Sequence, residues 1–143
     1  MHRRPSIRIL FFALLLISSA RANSLRLIVK EADLAIEKQD WAAAEVLLAK
    51  IVDSGRCRTH YQPSLYGPIY FNYGICKLKQ KNWKDAARSF EKCYKKFPSR
   101  KGDINPYHIL SLRYWAEAEY FLGNHEDSSK LFVKYFREKE PQK

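Results

Sequence analysis

Reactive chemistry in this 143-residue chain would have to come from few side chains, among them three Cys and four His. Cys57 and His60 have the Cys-x2-His spacing of a metal-binding pair, but no second close pair completes a four-ligand site. Neither a metal nor a cofactor is expected. His108 and His125 fall at expected helix starts with no obvious acid or nucleophile partner. No G-x-S-x-G, H-E-x-x-H or phosphate-cradling loop is present. Three Cys leave one over after any pairing. Cys76 and Cys93 fall in two helices of one expected hairpin, offset by roughly 9 Å along the axis. A disulfide needs Cα atoms within about 7 Å, so these read as free thiols, with Cys57 to Cys76 as the alternative pairing. The chain reads as non-enzymatic.

The elements around these residues begin with an address. Met1-His2-Arg3-Arg4 and Arg8 precede an apolar run from Ile9 to Ile17, and Ala20-Arg21-Ala22 follows. The run is about half the roughly 20 residues that a bilayer span requires. A basic start, a short apolar middle and an A-x-A end make residues 1–22 a secretory signal peptide, with the mature chain starting near Asn23. Export to the periplasm or the extracellular side of a bacterial envelope is expected, with no permanent membrane span.

At this length, with 46% apolar residues, the remainder suits one domain with one core. Loss of Arg3, Arg4, Arg8 and Arg21, with no acid, lowers the formal charge from +11 to +7. Residues 77–101 hold ten basic residues against Asp85 and Glu91. Such a face is either simply solvated or a contact for an acidic protein, anionic lipid or anionic polymer. Nucleic acid fits the charge but not the export signal.

A period of 42 residues organises everything after the leader. Trp41, Trp83 and His125 share it, as do Asp40, Asn82 and Asn124, then Ala44, Ala86 and Ser128. Leu48, Phe90 and Phe132 follow, with Ile51, Cys93 and Tyr135, and with Ala32, Gly74 and Ala116 upstream. Each unit reads as two helices, giving 24–38, 41–54, 68–80, 83–97, 106–122 and 125–139. Gly67-Pro68 marks one start and Asn105-Pro106 another. Asp40, Asn82 and Asn124 are N-caps, with Asp85 and Asp127 in capping-box positions. Gly123 supplies a left-handed stop. Hairpins of this kind bury their apolar flanks only by stacking on one another.

The middle unit carries Tyr70-x2-Tyr73-Gly74-x2-Lys77, then Ala86-x3-Phe90, then Pro98. That pattern resembles the tetratricopeptide repeat, W-x2-L-G-x2-Y, then A-x3-F, then P. Tyr70, Tyr73 and Lys77 depart from the usual types. The first unit keeps Ala32, Ala44 and Leu48; the third keeps Trp115, Ala116 and Phe132, with Pro141 one residue late. The resemblance implies an all-α, right-handed superhelical stack of three antiparallel hairpins, an α-solenoid spanning residues 23–143 with units about 24–56, 67–98 and 105–141. The family pitch is 34; the eight extra residues here fall in joints 55–67 and 98–105, long enough to be functional or mobile.

Family members bind extended peptides or partner helices in a groove lined by the first helix of each pair. Carried over, the groove residues are Val29, Lys30 and Asp33, then Phe71, Asn72 and Ile75, then Arg113, Tyr114 and Glu117. Val29, Asp33, Phe71, Ile75 and Glu117 replace most of the Lys and Asn with which some members clamp a C-terminal carboxylate. Phe71, Ile75 and Tyr114 either anchor a ligand or fill a closed groove. In the last helix Leu131, Phe132, Tyr135 and Phe136 either fold inward or leave an apolar face open for association. The expected function is therefore an exported adaptor holding a protein or peptide in its groove. The alternative is a structural subunit of an envelope assembly, self-associating or docking through its last helix.

Overall fold

The computed structural model describes residues 24–59 and 61–140; the signal-peptide segment, His60 and Pro141 lie outside the described residues. The fold is all-α. Its helices are α1 (24–37), α2 (Trp41–Val52), α3 (Arg56–Thr59), α4 (Pro63–Lys79), α5 (Trp83–Lys96), α6 (His108–Phe121) and α7 (His125–Lys139). Among the described residues the only β feature is an isolated bridge between Arg100 and Asp103. No helix among them is long and apolar enough to cross a membrane.

The 42-residue period is written into the backbone. Gln39, Lys81 and Gly123 all adopt positive φ, at 57°, 61° and 84°. Their amides donate to the carbonyls of Ile36, Leu78 and Tyr120. The next amides, of Asp40, Asn82 and Asn124, donate to Ala35, Lys77 and Glu119. This double bond pattern is the Schellman stop, formed three times in one register. The carbonyls of Asp40, Asn82 and Asn124 then accept from Ala44, Ala86 and Ser128, which opens the second helix of each pair. So short a turn returns each second helix antiparallel to the first.

The caps themselves are not identical. Asp40 Oδ1 accepts from the Ala43 amide at 3.1 Å and Asn82 Oδ1 from the Asp85 amide at 3.3 Å. Asn124 departs from the expectation: its side-chain amide donates to Glu119 at 2.6 Å, and it makes no cap bond into α7.

Packing follows the small-residue columns. Ala32, Gly74, Ala116, Ala44, Ala86 and Ser128 are all buried. A Cβ on Gly74 would lie 2.7 Å from the Phe90 ring, so the absent side chain is what admits that ring. Ser128 fits its column by donating its hydroxyl to the Ala116 carbonyl at 2.8 Å. Besides the pairs α4–α5 and α6–α7, α2 packs on α4 and α5 on α6, so consecutive hairpins adjoin. Trp41 lies beneath the Lys79 ammonium, and Trp83 stacks on Phe121 at 4.5 Å. Both pairs span 38 residues and are one period apart.

Two expected helix starts are corrected. α4 begins at Pro63, not at Pro68, because Pro63 occupies the tolerated N1 position and Pro68 is carried inside the helix. Tertiary contacts hold that first turn: the Cys93 thiol donates to the Gly67 carbonyl at 3.3 Å. The joint 55–67 therefore contains α3 and the start of α4. α6 begins at His108, not at 106, because Asn105 folds the chain first: its Oδ1 accepts from the Tyr107 amide at 3.0 Å.

Joint 98–105 is also tied down. Asn105 is 2% exposed, and its side-chain amide donates to the Phe97 carbonyl at 2.8 Å. Ser99 Oγ both donates to the Asn105 carbonyl and accepts from its amide at 3.1 Å. The Asn105 side chain lies only 2.3 Å from where a Cβ on Gly67 would sit. Gly67→Ala should displace it and lose these buried bonds, at a cost of about 2–3 kcal/mol in denaturant unfolding. Lys81→Gly should act in the opposite direction. Relief of the left-handed penalty outweighs the added unfolded-state entropy, for a gain of roughly 0.5 kcal/mol.

Candidate functional site

Upstream extension of α4 builds a cleft that the sequence did not announce. Two adjoining lobes, of about 560 and 390 Å³, run along α1. Both contain Val29, Asp33, Glu37 and Leu65. The larger lobe adds Ile36, Ser64, Pro68, Ile69 and Asn72, and is closed by Pro106 and Tyr107 at the approach to α6. Arg26, Lys30 and Leu34 line the smaller one. Ser64 is fixed there because its amide donates to Asp103 Oδ1 at 2.8 Å, which ties the start of α4 to joint 98–105.

The walls are apolar and the polar groups are few, as ligand sites commonly are. Asp33 and Glu37 supply carboxylates to both lobes, and Arg26 and Lys30 add cations at the smaller one. Partial burial against the wall, and then the neighbouring Glu37 carboxylate, raise its pKa above the usual carboxylate value. Asn72 Nδ2 donates to Asp33 Oδ1 at 3.4 Å, a long bond that a better donor could displace.

Val29, Asp33 and Asn72, expected on a groove, meet in this cleft, and Lys30 lines its outer lobe. Phe71 does not line it. Only 6% exposed, it stacks on Tyr107 at 4.3 Å and meets Phe90 and Tyr114 edge-on. As a core residue it supports the cleft from behind Tyr107 and is not an open anchor. Tyr114 is half-buried and stacks on Phe90 at 5.6 Å. Ile75 and Glu117 are half-buried, and Arg113 is exposed; none of these lines the cleft. Ser64, Leu65, Pro106 and Tyr107 were missed. Their signal was the pair of prolines, Pro63 and Pro106, each setting up a helix entry.

The last helix divides its apolar residues. Tyr135 is buried, Leu131 and Phe132 are half-buried, and Phe136 and Val133 are 58% and 57% exposed. The basic segment 77–101 is partly spoken for. Lys77 pairs with Glu45 at 2.6 Å, and Lys92, Lys95 and Arg100 lie over Tyr70, Trp115 and Tyr61. Lys81, Lys84, Lys96 and Lys101 are exposed.

The residues with reactive potential are placed structurally. All three Cys are free thiols. Burial pushes Cys57 and Cys93 up and Cys76 up to about 11, so each stays protonated near neutral pH, the unreactive form. His108 stacks on Tyr94 at 4.7 Å, and burial lowers its pKa; His125 is exposed beside Tyr120. Among the described residues no group of three or more His, Cys, Asp or Glu is placed to hold a metal ion.

Neither protein-family models, nor curated proteins, nor solved structures yield a match to this chain.

A raised Asp33 pKa means that ionisation costs more in the folded than in the unfolded chain. Stability is therefore lost as pH rises through the window above the ordinary carboxylate value, and the penalty is absent below it. Asp33→Asn should raise the unfolding midpoint at pH 7, and the gain should vanish below about pH 4.

Proposed function

We propose that this protein is an exported, non-enzymatic adaptor of tetratricopeptide-like build, a right-handed stack of three hairpins that holds an extended segment of a partner protein. The observation that supports this best is the two-lobed cleft, in which Val29, Asp33 and Asn72 converge on an apolar wall. An elongated, open trough of this kind suits a peptide better than a compact metabolite.

The ligand chemistry follows from the lining. Val29, Leu65, Pro68 and Ile69 offer a seat for one apolar side chain. Asp33 and Glu37 offer carboxylates to a neighbouring Lys or Arg. A cation placed there would offset the cost of the Asp33 charge and compete with the long Asn72 bond. The preferred segment is thus an apolar residue flanked by basic ones. Export of the chain, by way of the basic and apolar leader, places that partner in an envelope or outside the cell.

The test is selection of a displayed random-peptide library against the purified protein. Enriched peptides should pair an apolar residue with Lys or Arg, and Asp33→Lys should lower their affinity at least tenfold, about 1.4 kcal/mol. Lys50→Glu, on exposed α2 surface, should leave affinity unchanged. Enrichment of acidic peptides, or affinity indifferent to Asp33, would refute the assignment.

A further inference from the structure

We infer that a second copy of this chain docks head to tail, its α1 seating on α7 in the register with which α6 seats on α5. The inference rests on the repeat register and not on the cleft.

Each inner joint places the second helix of one hairpin against the first helix of the next. Trp41 meets Lys79 and, one period later, Trp83 meets Phe121. Asp53 and Tyr73 line one hollow, and one period later the Lys95 ammonium lies over Trp115. The contacts at successive joints therefore obey a single rule, and the rule can be advanced once more. The second helix is then α7, and the next first helix is α1 of another molecule.

Advanced by one period, Trp83 becomes His125 and its mate becomes Glu37. Lys95 becomes Arg137 and its mate becomes Glu31. Phe90, which stacks on Tyr114, becomes Phe132 facing Lys30. Two of these pairs join a carboxylate to a basic group and the third sets an ammonium against a ring. None has a like-charge clash. Nothing in the folding of one molecule selects that complementarity, because these residues lie at opposite ends of its chain.

Exposure at the two ends agrees. Leu27 and Leu34 of α1 are 57% and 44% exposed. The residues one and two periods later are Ile69 and Ser111, and Cys76 and Ala118, all at 2% or less. Among the described residues a preceding hairpin packs on α4 and on α6, and none packs on α1. At the other end Val133 and Phe136 stand open where Glu91 and Tyr94 of α5 are half-buried. Such a joint uses different faces on its two sides, so it leaves a free end on every assembly and builds open chains unless a ring closes.

Sedimentation velocity of the purified protein over a concentration series should show species that grow beyond a dimer. Leu27→Asp and Phe136→Asp should each be monomeric. An equimolar mixture of the two should give a one-to-one complex and nothing larger, since each supplies the face that the other has lost. Glu31→Arg and Arg137→Glu should each weaken assembly several-fold, and the double variant should restore it. Both apolar residues are exposed, so far-UV circular dichroism and melting should match the parent; if either variant unfolds, Leu27→Ser and Phe136→Ser replace them. A parent that stays monomeric at the highest attainable concentration overturns the inference. So does assembly lost with Phe136→Asp but kept with Leu27→Asp, which marks α7 facing α7. Lys30 and Glu37 border both surfaces, but Asp33 is in none of the docking pairs, so peptide affinity measured on the monomeric Phe136→Asp variant with and without Asp33→Lys lets the two readings fail separately.

Discussion

The fold depends on how closely α4 lets its neighbours approach. Two glycines on that helix leave gaps that other elements fill: the Phe90 ring enters above Gly74, and the Asn105 side chain lies over Gly67. The first contact sets the crossing of α4 with α5. The second pins the chain between α5 and α6, because the same Asn105 also binds the Phe97 carbonyl and orients Tyr107. Tyr107 then stacks on Phe71, a residue of α4 itself. One helix thus fixes its partner, the following joint and the back wall of the cleft. A methyl group at either glycine would act on all three.

What the sequence revealed of this was the part with a period. The columns from Ala32 to Tyr135, the caps Asp40 and Asn82 and the stop at Gly123 are local features whose chemistry repeats, and the structure forms them where the pattern puts them. Gln39 and Lys81 take the Gly123 conformation although neither is a left-handed type, so their role was visible only through the register. The start of α4 was illegible because Gly67-Pro68 has the local signature of a boundary. The Cys93 thiol and Asn105, far along the chain, keep that turn helical. Phe71 was misplaced for a related reason. Whether a groove position is open depends on Tyr107 folding back over it, and that comes from a joint outside the repeat.

The cleft follows from the same departure. Five added residues at the start of α4 carry Ser64 and Leu65 alongside α1, and Asp103 from the next joint holds the Ser64 amide. The irregular residues Ser64, Leu65, Pro106 and Tyr107 therefore complete a candidate site whose other walls are regular residues of α1, α2 and α4. This division explains why family-type positions alone located only Val29, Lys30, Asp33 and Asn72.

Net charge is a poor guide to what such a site would hold. The chain is strongly basic, yet Lys77, Lys79, Lys92, Lys95 and Arg100 spend their charge on Glu45 or on aromatic faces. A cation over a desolvated ring holds about as well as an exposed ion pair, and it keeps both stems packed. Basic residues thus serve here as covers for an aromatic-rich surface, which a purely acidic or polar segment could not provide. Three carboxylates stand on or beside the cleft helix: Asp33 and Glu37 in the cleft, and Glu31, exposed, on α1. Local placement, not the overall sum, sets the charge that each surface presents, so a strongly basic protein can still expose carboxylates in a cleft.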